Sequence, residues 1–137
     1  MIICGVELKS NNTILSVIEV TDKTVDYMNV KPAKIALEDN EDQESIKKYQ
    51  NDIYNFIKQN NIEKMIIKKR ATKGTFAGGS ITFKMEAILQ LNSDAKIVFI
   101  SSQAISKYNK KSPIPFPHNL HKYQEQSYLA ALAYIKQ

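Results

Sequence analysis

One cysteine, Cys4, is all the chain contains, which excludes an internal disulfide and any multi-cysteine zinc centre. It sits in the apolar run Ile2-Ile3-Cys4-Gly5-Val6 and reads as a small buried side chain rather than a reactive thiol. Long apolar runs are also missing. No stretch approaches the roughly 20 apolar residues of a membrane span. The N-terminus lacks the basic region and small-residue cleavage site of a secretory signal. The expectation is a cytoplasmic protein without a membrane partner. At 137 residues the chain is long enough for one domain that buries most of its unfolded surface without a staple.

Glycine is scarce too, with four in the chain, and three of them stand at positions 74, 78 and 79. They follow four cations, Lys68, Lys69, Arg70 and Lys73. Acids are outnumbered, fourteen against nineteen Lys and Arg, for a formal charge of +5. A basic balance favours polyanionic partners, because Lys and Arg release counterions from phosphates. Lysine-rich proteins of AT-rich bacterial genomes often have no such partner, so distribution matters more than the total. A second cationic group is Lys107, Lys110 and Lys111, while Glu38, Asp39, Glu41, Asp42 and Glu44 gather the acids.

The pattern along the chain predicts three strands first. Residues 2–8 are almost continuously apolar, as in a strand covered on both faces. Asn11-Asn12 offers turn chemistry before the β-branched run 13–20, and Asp22-Lys23 turns into a third strand over 24–30. A helix is expected over about 41–59, with Asn40 and Gln43 at capping-box spacing and the acids complementing its positive end. Ile46, Tyr49, Ile53, Phe56 and Ile57 form its apolar stripe. A strand follows at 64–69, a helix at about 79–91, a strand at 96–101 and a last helix at about 122–136. Residues 102–118, with three prolines, are expected to be a connector.

The order β-β-β-α-β-α-β-α predicts an α/β domain over 1–137, a mixed sheet with helices on both faces. That order resembles the ribonuclease H-like fold, whose members include Holliday-junction resolvases, integrases and sugar-kinase-type ATPases. Fold alone assigns no chemistry.

Glu7 is the most informative acid, since it interrupts an otherwise buried strand on the face shared by Ile3 and Gly5. A carboxylate there needs water, a counter-charge or a metal. Glu125, three residues before Tyr128, is the second candidate, and dipole complementation alone would equally explain it. Gly5-Val6-Glu7-Leu8-Lys9-Ser10 resembles the resolvase pattern Gly-Ile-Asp-x-Gly-Ser, with Glu for Asp and Lys for the second Gly. Such nucleases hold divalent metals with several acids, one at the end of the fourth strand. Here that end carries cations, and Lys69 is the expected partner of Glu7.

Gly74 to Gly79 spans half of a P-loop pattern, but Ser80-Ile81 stands where Lys and Ser/Thr are required. A non-nucleotide phosphate site remains, built from Arg70, Lys73, Gly78, Gly79 and Ser80; the glycines could instead relieve a close approach. His118 and His121 read as surface histidines. Tyr108, Phe116 and Tyr123, among lysines, suit either base stacking or aromatic packing over the sheet.

Cys4-Gly5-Val6-Glu7-Leu8-Lys9, the run Arg70-Ala71-Thr72-Lys73-Gly74-Thr75-Phe76-Ala77-Gly78-Gly79 and Tyr123-Gln124-Glu125 together resemble the bacterial domain-of-unknown-function 3010 family. The resemblance spans essentially the whole chain. The family commonly carries Arg-Glu-Arg-Pro where this chain has Lys68-Lys69-Arg70-Ala71, so the departure falls on the third acid. The resulting expectation is a domain binding a phosphate-bearing ligand such as nucleic acid, with no cofactor. The alternatives are a Mg-dependent nuclease using Glu7 and Glu125, and a non-catalytic protein-interaction module.

Overall fold

Residues 2–6 and 65–67 are apolar throughout, and in 13–18 only the small, buried Thr13 and Ser16 interrupt the apolar run, so no face is left for water and these segments form the middle of the sheet. The computed structural model describes residues 1–70, 79–111 and 115–137. Its strands are β1 (Ile2–Lys9), β2 (Asn12–Val20), β3 (Val25–Met28), β4 (Lys34–Ala36), β5 (Lys64–Lys68) and β6 (Lys96–Ile100). Its helices are α1 (Gln43–Gln59), α2 (Ser80–Gln90), α3 (Ser102–Lys111) and α4 (Glu125–Ile135), the last preceded by a 3-10 turn, Lys122–Gln124. The sheet order is β3-β2-β1-β5-β6, with β4 also on β2. β2 runs antiparallel to β1, whereas β5 and β6 run parallel to it.

The mixed sheet with helices on both faces matches the expectation. Cys4, Val6, Leu15, Val17, Met65 and Ile67 meet α1 and α2 on one side. Ile3, Ile18, Ile66 and Ile100 meet α3 and α4 on the other. Cys4 is fully buried, and burial pushes its thiol up to about 12, so it is no nucleophile at neutral pH.

Three expectations need correction. The third strand ends at Met28, and a further strand, β4, pairs with Asn12–Ile14 of β2. Three residues are too few to show an alternating pattern, so β4 exists only through its partner. Residues 102–111 are not connector but α3, because the prolines begin only at position 113. The Ser101 hydroxyl accepts from the Ala104 N–H at 3.0 Å, and Ile105 is buried with Tyr108 beside it. Finally, α1 is capped by Asp42, which accepts from the Ser45 N–H at 3.1 Å; Asn40 instead receives Lys84 Nζ.

Helix α4 lies almost in contact with the backbone of β1. A Cβ added to Gly5 would stand 1.8 Å from the Ser127 carbonyl oxygen. Ser16 and Ser127 share a hydroxyl–hydroxyl hydrogen bond of 2.6 Å beneath the helix. Buried Gln124 ties the helix start down, donating 2.8 Å to the Leu15 carbonyl and accepting 3.0 Å from the His121 N–H. Glycine at 5 is what allows this approach.

Candidate functional site

The parallel register of β1 and β5 builds the site. Val6 stands beside Ile67, so the next residues, Glu7 and Lys68, lie side by side on the α4 face. Glu7 Oε2 and Lys68 Nζ are 3.6 Å apart, with side chains 19% and 23% exposed. Lys68 Nζ also donates to Gln126 Oε1 at 3.0 Å. The expected partner of Glu7 was Lys69, and the structure corrects this to Lys68. Lys69 follows the last residue of β5, is exposed, and uses its N–H on the Ile100 carbonyl.

The acid–ammonium–amide row is closed by α4, whose first residue is Glu125. Glu125 is half-buried beside Gln126. The side chains that α4 buries are those of the continuous run from Ser127 to Ala133, which includes Tyr128, Leu129 and Leu132 but not Glu125. Gln126 and Lys68 carry no sequence signal for this role, since only register and helix placement bring them to Glu7.

Arg70, the only arginine in the sequence, is held elsewhere. Its guanidinium reaches Glu86 of α2 at 3.2 Å, both side chains being 13% exposed, and stacks 3.5 Å from the Phe83 ring centroid. Burial raises the Glu86 pKa and Arg70 opposes the rise without cancelling it. A folded-state value above the unfolded one means that this contribution stabilises at low pH and is lost as pH rises through the folded value. Removing the counter-charge alone should be worse than removing the pair. Glu86→Gln is expected to lower stability by about 1–3 kcal/mol, measured by urea denaturation. Arg70→Met with Glu86→Leu should stay within about 1 kcal/mol of the parent, since a buried pair barely outperforms apolar packing.

Gly79 caps α2 with φ −74°, and a Cβ there would meet nothing within 4 Å. Neither a left-handed backbone nor a close approach therefore requires glycine at 79. Ser80 is the exposed first residue of α2, while Lys73 and Gly78 lie outside the described residues. His118 and His121 are exposed. Of the candidate stacking aromatics, Phe116 packs edge-on against Tyr128 at 6.1 Å and Tyr108 joins the α3–α4 core. Tyr123 remains 39% exposed with His121 parallel to it, centroids 5.1 Å apart. A cavity of about 690 Å³ between α3 and α4, lined by Lys107, Lys111 and Lys136, lies among helix C-terminal residues, where lysine complements the carbonyl ends.

A divalent metal, implied by the nuclease alternative, does not fit the groups present. Hard cations need several oxygen ligands of net negative charge. Among the described residues no three of His, Cys, Asp and Glu come together, and an ammonium already sits against Glu7.

The family profile described as "Protein of unknown function (DUF3010)" matches residues 1–134. The chain belongs to this family. None of the curated proteins matches it. Among solved structures, RuvC of Thermus thermophilus superposes with a TM-score of 0.73 at 8% identity, covering 98% of this chain and 93% of that one. The Fowlpox virus resolvase, solved with its substrate Holliday junction DNA, gives 0.62 at 18% identity, covering 99% and 97%. At such identities the likeness is one of fold, and the fold is ribonuclease H-like. Among the described residues no helix is long and apolar enough to cross a membrane.

Proposed function

We propose that this protein binds nucleic acid across the C-terminal ends of β1 and β5 and does not cleave it efficiently with metal. The observation that carries the reading is Lys68 Nζ, 3.6 Å from Glu7, in a fold shared with junction resolvases at nearly full length. The Lys68 ammonium cancels the charge of Glu7, so the strand ends do not repel an approaching phosphate, and it repels a metal ion and occupies the carboxylate the metal would need. Lys9, Lys34, Lys69 and Lys122, all exposed near these strand ends, would meet the backbone. Arg70 contributes less than its position in the basic run suggests, because Glu86 neutralises it. The contribution of Lys73 belongs to the same proposal.

Fluorescence anisotropy with a four-way junction, a duplex and a single strand tests this. Four phosphate contacts imply a log–log salt slope near −3.6, or about a hundredfold loss of affinity between about 50 and 200 mM salt. Incubation with Mg²⁺ or Mn²⁺ should leave all three substrates intact. Metal-dependent cleavage abolished by Glu7→Gln would overturn the non-catalytic half and establish the nuclease reading. Absence of binding at low salt would overturn the nucleic-acid half and leave a protein-interaction module.

A further inference from the structure

The row that contains Lys68 and Glu7 continues across the sheet. Glu7 pairs with Ile14 of β2, and Ile14 pairs with Lys34 of β4, so four strands place Lys68, Glu7, Ile14 and Lys34 side by side on one face. One row further out, Lys9 pairs with Asn12. Beyond Ile14 a groove of about 230 Å³ opens, lined by Lys9, Ser10, Asn12, Ile14, Lys34 and Tyr123. Its wall is the exposed Tyr123, with His121 stacked at an interplanar angle of 6°. Lys34 Nζ sits 4.8 Å above the Tyr123 ring, so a flexible, exposed ammonium covers a ring face that a ligand can take over.

Resting on the nucleic-acid reading, we infer that this groove accepts one unpaired nucleotide. Its base extends the His121–Tyr123 stack over Ile14, and Lys34 and Lys9 swing to its phosphates. The chemistry selects an unpaired base, since within a duplex both base faces are already stacked and only a splayed nucleotide offers a free one. The cations on either side select a phosphate-bearing strand over an uncharged aromatic ligand. The site would thus read single-stranded character beside Glu7 and Lys68 without reading sequence.

An oligonucleotide carrying 2-aminopurine among thymines reports stacking directly through quenching of its fluorescence. Quenching is expected with the parent and with Tyr123→Phe, and is expected to disappear with Tyr123→Leu. Single-strand affinity should fall about tenfold in Tyr123→Leu, while duplex affinity changes less than about twofold. Tyr123 is exposed, and an unchanged melting temperature would show that the variant is folded. Equal quenching by Tyr123→Leu, or equal losses on single strand and duplex, would overturn the groove proposal while leaving nucleic-acid binding intact. If the parent binds no oligonucleotide at low salt, the broader reading falls and this one with it.

Discussion

Gly5→Ala is expected to lower the unfolding free energy by at least about 3 kcal/mol, at the upper end of what overpacking a core produces. The new methyl would lie 1.8 Å from the Ser127 carbonyl oxygen and 3.2 Å from Ala131 Cβ. The first of these is backbone, so no rotamer change can clear it; the whole of α4 must lift from β1. Lifting it disturbs the Ser16–Ser127 hydrogen bond and the Gln124 clamp, and exposes apolar contacts of Leu129 and Ala130. The same motion would draw Gln126 from Lys68, so stability and the site should suffer together. Calorimetry should show a melting temperature lower by more than about 10 °C. Gly79→Ala is the contrast, since its Cβ meets nothing, and it should stay within about 1 kcal/mol of the parent. Equal effects of the two substitutions would refute the close-approach account.

Lys68→Glu is expected to exchange one binding property for another. The substitution removes the ammonium beside Glu7 and places a second carboxylate on the same face of the adjacent strand. Nucleic-acid affinity should fall at least about tenfold, through loss of a cation and gain of an anion at the strand ends. Two neighbouring carboxylates disfavour one another's ionisation, so at least one titrates above its ordinary range. The folded variant then binds protons that the unfolded chain has released, and its stability declines as pH rises through that raised value. Mn²⁺ should reverse the decline by bridging the two acids, adding about 2.7 kcal/mol at a hundred times its dissociation constant. The parent, with Lys68 in place, should show no such metal dependence of its melting temperature. A variant indifferent to Mn²⁺, or a parent that responds equally, would show that Lys68 does not stand in the way of a metal.

Much of this architecture was legible in the residues. Continuous apolarity marked β1 as a central strand, a β-branched run marked β2, and helical spacing located α1, α2 and α4, because burial leaves its periodicity in the sequence. Glu7 stood out for a complementary reason, as a charge where desolvation demands a partner. What escaped were elements held by their neighbours. β4 has one buried residue, Ile35, and α3 has one, Ile105, which is too little to form a pattern. The prolines beyond α3 do not bear on it, since Ser102–Lys111 ends before the first proline of that stretch.

The site shows the same division more sharply. The sequence by itself placed an acid on the central strand, cations at the end of β5 and a carboxylate at the start of the last helix. It also put cations, not an acid, where the resemblance to resolvases implies a third carboxylate, because residue identity needs no coordinates. Which cation faces Glu7 was decided only by tertiary structure. Lys68 and Lys69 are adjacent in sequence, and a one-residue change in strand register would exchange the faces they occupy. Arg70 shows the same limit, since only the docking of α2 brings Glu86 to within 3.2 Å of its guanidinium. The groove beside Tyr123 is assembled from β1, β2, β4 and the 3-10 turn, residues more than a hundred positions apart. Local pattern records which side chains must be buried or charged; pairing register and helix docking choose their partners, because those energies exist only between distant segments.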